Sequence, residues 1–153
     1  MVVGLVLKLH VRTNMDIKSQ LIRDEDLVLH AYPDSKGYLT IGVGRLIDKR
    51  KGGGLTYDEC LYLLHNDIVK HKSAVLKELP WSEFIGEVRL GALINMHFQL
   101  GNNLWGFKKT IGYMAASAWT EASFEMLDSK WAREDSPLRA ERISEQVRTN
   151  LWV

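Results

Sequence analysis

A chain of 153 residues, 46% hydrophobic and 25% charged, carries enough apolar material for a globular domain with a sizeable core. Its formal net charge of +1 excludes the strongly basic character of a chain built to coat nucleic acid, and its single cysteine, Cys60, excludes an internal disulfide. The five histidines, His10, His30, His65, His71 and His97, show no metal-ligand spacing, so no metal site is expected.

Residues 1–14, MVVGLVLKLHVRTN, read as an N-terminal extension. The apolar run from Val2 to Leu9 is interrupted by Lys8. It falls short of the roughly 20 residues that span a bilayer. It also lacks the basic start and small-residue cleavage site of a signal peptide, so stable membrane insertion is not expected. Asp16 to about Asp26 has helical periodicity, with Ile17, Leu21 and Ile22 on one face and Asp16 as N-cap. Val28 to Pro33 reads as a strand, Asp34 to Gly37 as a turn, Tyr38 to Val43 as a second strand and Arg45 to Ile47 as a short third. Gly52, Gly53 and Gly54 form a flexible connection; with no Gly-Lys-Ser/Thr after them, they are not a phosphate loop.

Thr56 and Glu59 have capping-box form and start a long helix that stops before Pro80. Further helices are expected over 83–100, 108–118, 121–133 and 138–147, with Thr120 as an N-cap. Cys60 falls in an apolar helical run and reads as core, and Trp105, Trp119 and Trp131 read as packing of the helical part. The fold class is therefore α+β, mainly α. A small front lobe (about 15–54) and a helical lobe (about 56–150) are joined by the long helix, together making one domain over 15–153.

The chemistry concentrates between Arg23 and Ile47, where Glu25, Asp34 and Thr40 lie on a helix-to-hairpin passage. Glycoside hydrolysis needs two carboxyl groups with separate roles, one holding a proton and one ionised. Glu25 sits where the helix dipole is negative and between Asp24 and Asp26; both features disfavour its ionisation and suit a general acid. Asp34 suits the first turn position and Thr40 suits a strand, so both residues also have ordinary structural roles.

Eight residues separate Glu25 from Asp34, and five separate Asp34 from Thr40. Asn95-Met96-His97-Phe98-Gln99-Leu100-Gly101, Ser129-Lys130-Trp131 and Pro137-Leu138-Arg139-Ala140-Glu141-Arg142-Ile143 follow in order. Together these resemble the phage lysozymes of the T-even type, a muramidase family classed among the family 24 glycoside hydrolases. The resemblance runs from about Met15 to Trp152.

The resemblance implies a lysozyme-like fold with a cleft between two lobes. It implies an endolysin that cuts the β-1,4 bond between N-acetylmuramic acid and N-acetylglucosamine of peptidoglycan. Glu25 would be the acid, with Asp34 and Thr40 positioning a water. Leu46, Phe98, Thr110 and Glu125 carry over as sugar contacts, and Arg139 as a supporting residue that pairs with the catalytic Glu. Phe98 equally suits the core. The resemblance also implies a monomer made in the host cytoplasm, acting in the periplasm, dependent on a holin for export. Four departures stand out: Asp26 replaces a usual Gly, Arg45 a usual His, and Glu125 a frequent Asn, and the connection after the hairpin is short. Arg45 is expected to pair with Asp67. The basic stretches 45–51 and 139–142 read either as solvated faces or as an aid to approaching anionic peptidoglycan.

Three other readings use the same residues. A silent glycan-binding module on the same fold would not need Glu25, Asp34 and Thr40 intact. A lytic transglycosylase would need one acid and not Asp34. A helical nucleic-acid binder would need a basic recognition helix, which the sequence lacks.

Overall fold

The computed structural model describes residues 16–153, and the reading of 1–14 as an extension lies outside them. The chain clusters into two compact units that divide between Glu59 and Cys60.

The first unit opens with helix α1, Ile17–Glu25, where the Asp16 carboxylate accepts the Ser19 amide at 2.8 Å as the N-cap. Strands β1 (Val28–Pro33), β2 (Leu39–Gly42) and β3 (Arg45–Leu46) form an antiparallel sheet in that order. Thr40 lies on the central strand, between Tyr32 of β1 and Leu46 of β3. Strands β2 and β3 are shorter than the sequence predicts, because Gly42 and Gly44 both take positive φ and turn the chain after four residues of β2. The glycine connection is not slack. Lys49–Lys51 make a 3-10 turn, the Gly53 amide donates to the Asp48 carbonyl at 3.0 Å, and the Gly54 amide donates to the Leu46 carbonyl at 3.2 Å.

Helix α2, Tyr57–Glu78, begins in the first unit and continues into the second. The capping box forms as read: the Glu59 amide donates to Thr56 Oγ1 at 3.2 Å, and the Thr56 amide donates to Glu59 Oε2 at 2.8 Å. Arg45 does not pair with Asp67. Its guanidinium reaches Glu59 at 2.6 and 3.0 Å, because the short connection brings β3 to the first turn of α2. Cys60 is exposed rather than core: side chains of α2 from Cys60 to Lys70 face solvent, and burial begins only towards Val75.

The second unit is helical: α3 (Glu87–Leu100), α4 (Lys108–Ala115), α5 (Trp119–Leu127) and α6 (Pro137–Thr149). The continuous helix expected from Glu83 is interrupted, because Pro80–Phe84 is a 3-10 segment and Gly86 at φ +86° breaks the chain before α3. Thr120 is not an N-cap. α5 starts one residue earlier at Trp119, whose ring lies under the Arg89 guanidinium at 4.0 Å, so tertiary packing outweighs the local capping preference. The helix expected to run to 133 ends at Leu127, and a π-helical turn at Trp131–Asp135 follows.

Among the described residues the apolar core lies in this unit and is built on Leu93, Met96, Leu104, Met114, Met126, Trp131, Ile143 and Val147. Trp105 and Trp119 pack on its edge. Side-chain hydrogen bonds tie the helices around it, while Ser82 Oγ and His97 Nε2 are buried with no hydrogen-bond partner among the described residues. Gln99 joins Trp131 to Ser136, its Oε1 accepting the indole N–H at 2.9 Å and its Nε2 donating to Ser136 Oγ at 2.5 Å. His97 is buried on α3, its Nδ1 lies 2.7 Å from His71 Nδ1, and its ring stacks on Trp105. Among the described residues, no helix is long and apolar enough to cross a membrane.

Candidate active site

Four of the candidate residues, Glu25, Asp34, Thr40 and Leu46, belong to the first unit, and the local fold gives each a defined setting. Glu25 is the last residue of α1 and is exposed. Its carboxylate lies against the β2–β3 turn: a Cβ added to Gly44 would stand 2.8 Å from Glu25 Oε2. Gly44, at φ +65°, both turns the chain and leaves room for that carboxylate. Asp24 beside it is held by Arg23 at 2.8 Å. Asp26 follows at φ +61° and ψ +161°, a backbone setting that favours glycine and that this chain fills with an aspartate.

Asp34 closes β1 and organises the hairpin turn. Its Oδ1 accepts the amides of Lys36 at 2.8 Å and Tyr38 at 2.9 Å, and its own amide donates to the Tyr38 carbonyl at 2.8 Å. Among the described residues Oδ2 accepts no hydrogen bond. The turn role read in the sequence is therefore real, and it leaves one carboxylate oxygen available. Thr40 is 5% exposed, and its hydroxyl donates to the same Tyr38 carbonyl at 3.2 Å. One peptide carbonyl thus receives hydrogen bonds from both Asp34 and Thr40. Leu46, half-buried, is the β3 neighbour of Thr40.

The remaining candidates lie in the second unit and divide between two concavities. Phe98 and Arg139 line one of about 450 Å³, with Leu64, Ile68, Asn95 and Trp152. Phe98 is 41% exposed and touches the His71 ring, so it belongs to the concavity wall rather than the core. The Arg139 guanidinium donates to Asn95 Oδ1 at 2.8 Å and to the Asn95 carbonyl at 3.3 Å, which fixes its position on α6 against α3. Thr110 and Glu125 line the other concavity, of about 520 Å³, where Lys109 lies 3.6 Å from the Glu125 carboxylate. The two basic stretches are largely committed internally: Arg45 to Glu59, Arg50 to Asp48 and Arg139 to Asn95. Among the described residues, no three His, Cys, Asp or Glu side chains gather as metal ligands.

Sequence reasoning passed over Asp48 and Tyr38. Asp48 is 4% exposed and holds Arg50 at 2.6 Å, and Arg50 keeps its carboxyl well below the usual carboxylate range. A lone Asp in a basic run gives no periodic signal. The nearest hint was an acid set among Arg45, Lys49, Arg50 and Lys51.

Comparison with known proteins places the chain in a family. The phage lysozyme family pattern matches residues 23–143. Probable T4-type lysozyme 1 of Dictyostelium discoideum is 28% identical, covering 87% of this chain and 94% of that protein. Probable T4-type lysozyme 2 of the same organism is also 28% identical, over 83% of this chain and 90% of that protein. The pre-baseplate central spike protein Gp5 of Enterobacteria phage T4 is 29% identical over 86% of this chain, which spans 27% of that longer protein. The family pattern runs from the Glu25 helix end through the sheet to α6: this chain belongs to the phage lysozyme family, and its activity class is that of a lysozyme-type peptidoglycan hydrolase.

Proposed function

We propose that the chain hydrolyses the β-1,4 bond between N-acetylmuramic acid and N-acetylglucosamine, with Glu25 as general acid and Asp34 and Thr40 positioning the attacking water, in the service of host-cell lysis. The observation that carries the reading is the shared Tyr38 carbonyl. Tyr38 binds both residues: its carbonyl accepts the Asp34 amide and the Thr40 hydroxyl, and its amide donates to Asp34 Oδ1, while Asp34 Oδ2 stays uncommitted and the Thr40 oxygen keeps its lone pairs. A carboxylate and a hydroxyl held in this way can orient one water between them. Glu25 ends α1 with an exposed side chain, and in this reading it delivers a proton to the leaving oxygen. An inverting outcome requires the two carboxyl groups to stand about 6.5–9.5 Å apart around the sugar. Leu46, Phe98, Thr110 and Glu125 serve as saccharide contacts in this reading, with Arg139 in support. Peptidoglycan is the partner, no cofactor takes part, and release to the periplasm depends on a holin.

The test is digestion of purified peptidoglycan, with mass analysis of the released sugars for wild type and Glu25→Gln. New reducing-end muramic acid, lost in the variant by at least about 100-fold, supports hydrolysis with Glu25 as the acid. Anhydro-sugar products would make the enzyme a transglycosylase. Binding without any release by wild type would leave a glycan-binding module.

A further inference from the structure

We infer that Asp48 and Arg50 are positioning residues for the Asp34–Thr40 pair: their ion pair grips the backbone on both sides of Tyr38, whose amide and carbonyl in turn hold Asp34 and Thr40. The inference rests on the catalytic reading of Asp34 and Thr40 given above.

A carboxylate as buried as Asp48 must be fully paired. Its Oδ1 accepts the Arg50 amide at 3.0 Å and Arg50 Nε at 2.9 Å; its Oδ2 accepts the Leu39 amide at 3.0 Å and Arg50 Nη2 at 2.6 Å. The two-armed guanidinium contact fixes direction as well as charge. The same Nη2 then donates to the Gly37 carbonyl at 3.0 Å. Gly37 precedes Tyr38 and Leu39 follows it, so one ion pair restrains the chain immediately before and after Tyr38. The Tyr38 ring is held as well, with Arg50 at 5.1 Å and Lys51 at 4.9 Å from its centroid.

The clamp itself is seated by Gly53. A Cβ there would lie 2.8 Å from both the Asp48 amide nitrogen and the Leu46 carbonyl oxygen, so only glycine lets the loop close. Arg50 lowers the Asp48 pKa and Asp48 raises that of Arg50, so both stay charged across any working pH and the grip does not titrate. Arg50→Lys would keep a charge beside Asp48 but cannot reproduce the fork that also reaches Gly37.

The test compares wild type, Arg50→Gln, Arg50→Lys, Asp34→Asn and the Asp34→Asn/Arg50→Gln double variant on soluble peptidoglycan fragments. Amide exchange at Lys36 and Tyr38 is measured alongside. The expected result is a fall in kcat of about 10- to 100-fold for Arg50→Gln with KM within about twofold, since a small misplacement of a reacting group costs that much. A smaller fall is expected for Arg50→Lys, which also carries the test if Arg50→Gln does not fold. The Lys36 and Tyr38 amides should exchange faster, and the double variant should be no slower than Asp34→Asn alone. Wild-type kcat in Arg50→Gln beside a disabled Asp34→Asn would overturn the positioning role and leave the catalytic reading standing. Losses that multiply in the double variant would overturn it too. Wild-type turnover by Asp34→Asn would instead remove the catalytic reading, and the positioning role with it.

Discussion

The two units of this chain are held together by different physics. In the unit from Cys60 onward, Leu93, Met96, Leu104, Met114, Met126 and their neighbours bury apolar surface completely. Among the described residues up to Glu59, only Thr40 and Asp48 are buried, and both are polar. Leu29, Leu27, Leu39 and Val43 of the same unit are exposed. The helical unit therefore rests on packing. The first unit is ordered by hydrogen bonds that converge on Tyr38 and Asp48 and by glycines at positive φ. The catalytic candidates sit in the unit where directional bonds, rather than close packing, set the geometry.

One substitution made in both units is the strongest way to break this contrast. Leu93→Ala, at a site 1% exposed, should cost about 2–5 kcal/mol in urea unfolding. Leu29→Ala, at a site 77% exposed, should cost less than about 0.5 kcal/mol. Comparable losses would show that the first unit packs as tightly as the second.

A smaller effect sharpens the backbone side of the contrast. Asp26 takes a conformation that suits glycine, so Asp26→Gly should stabilise by about 1 kcal/mol, read as a rise in melting temperature. A fall would show that the Asp26 side chain contributes more than its backbone costs.

The smallest effect concerns His97 in the helical core. Burial first, and the neighbouring His71 second, lower its pKa. The folded state therefore binds this proton less readily than the unfolded chain. The associated stability is fully present above the unfolded value of about 6.5 and is lost as pH falls below it. Melting temperatures between pH 7.5 and 5.5 should decline more steeply for wild type than for His97→Val. Equal slopes would separate the histidine pair from the acid sensitivity of the core.

Much of this was legible in sequence because it is local. The β1 boundaries, the Asp34 turn with Gly37 at φ +81°, the Asp16 cap and the Thr56–Glu59 capping box all follow from neighbours within a few residues. What was missed depends on residues distant in sequence or on burial. Arg45 pairs with Glu59 because of where a short loop delivers β3. Periodicity placed Cys60 on a helix but could not say that this stretch of α2 stays exposed. Thr120 is a good cap in isolation, yet α5 begins where Trp119 meets Arg89. For the site, the carboxylates and the threonine were readable as residue types at a spacing. The bonds joining Asp34 to Thr40 through Tyr38, and Asp48 behind them, exist only once the hairpin has closed.

Cys60 is the only sulfhydryl in the chain, and it is accessible in the first turn of α2, next to the division between the units. Alkylation can therefore place a single fluorophore or spin label per molecule, with no background from other thiols. In oxidising surroundings the same arithmetic limits the chain to one covalent partner: two copies can join through Cys60, and a third has nowhere to attach.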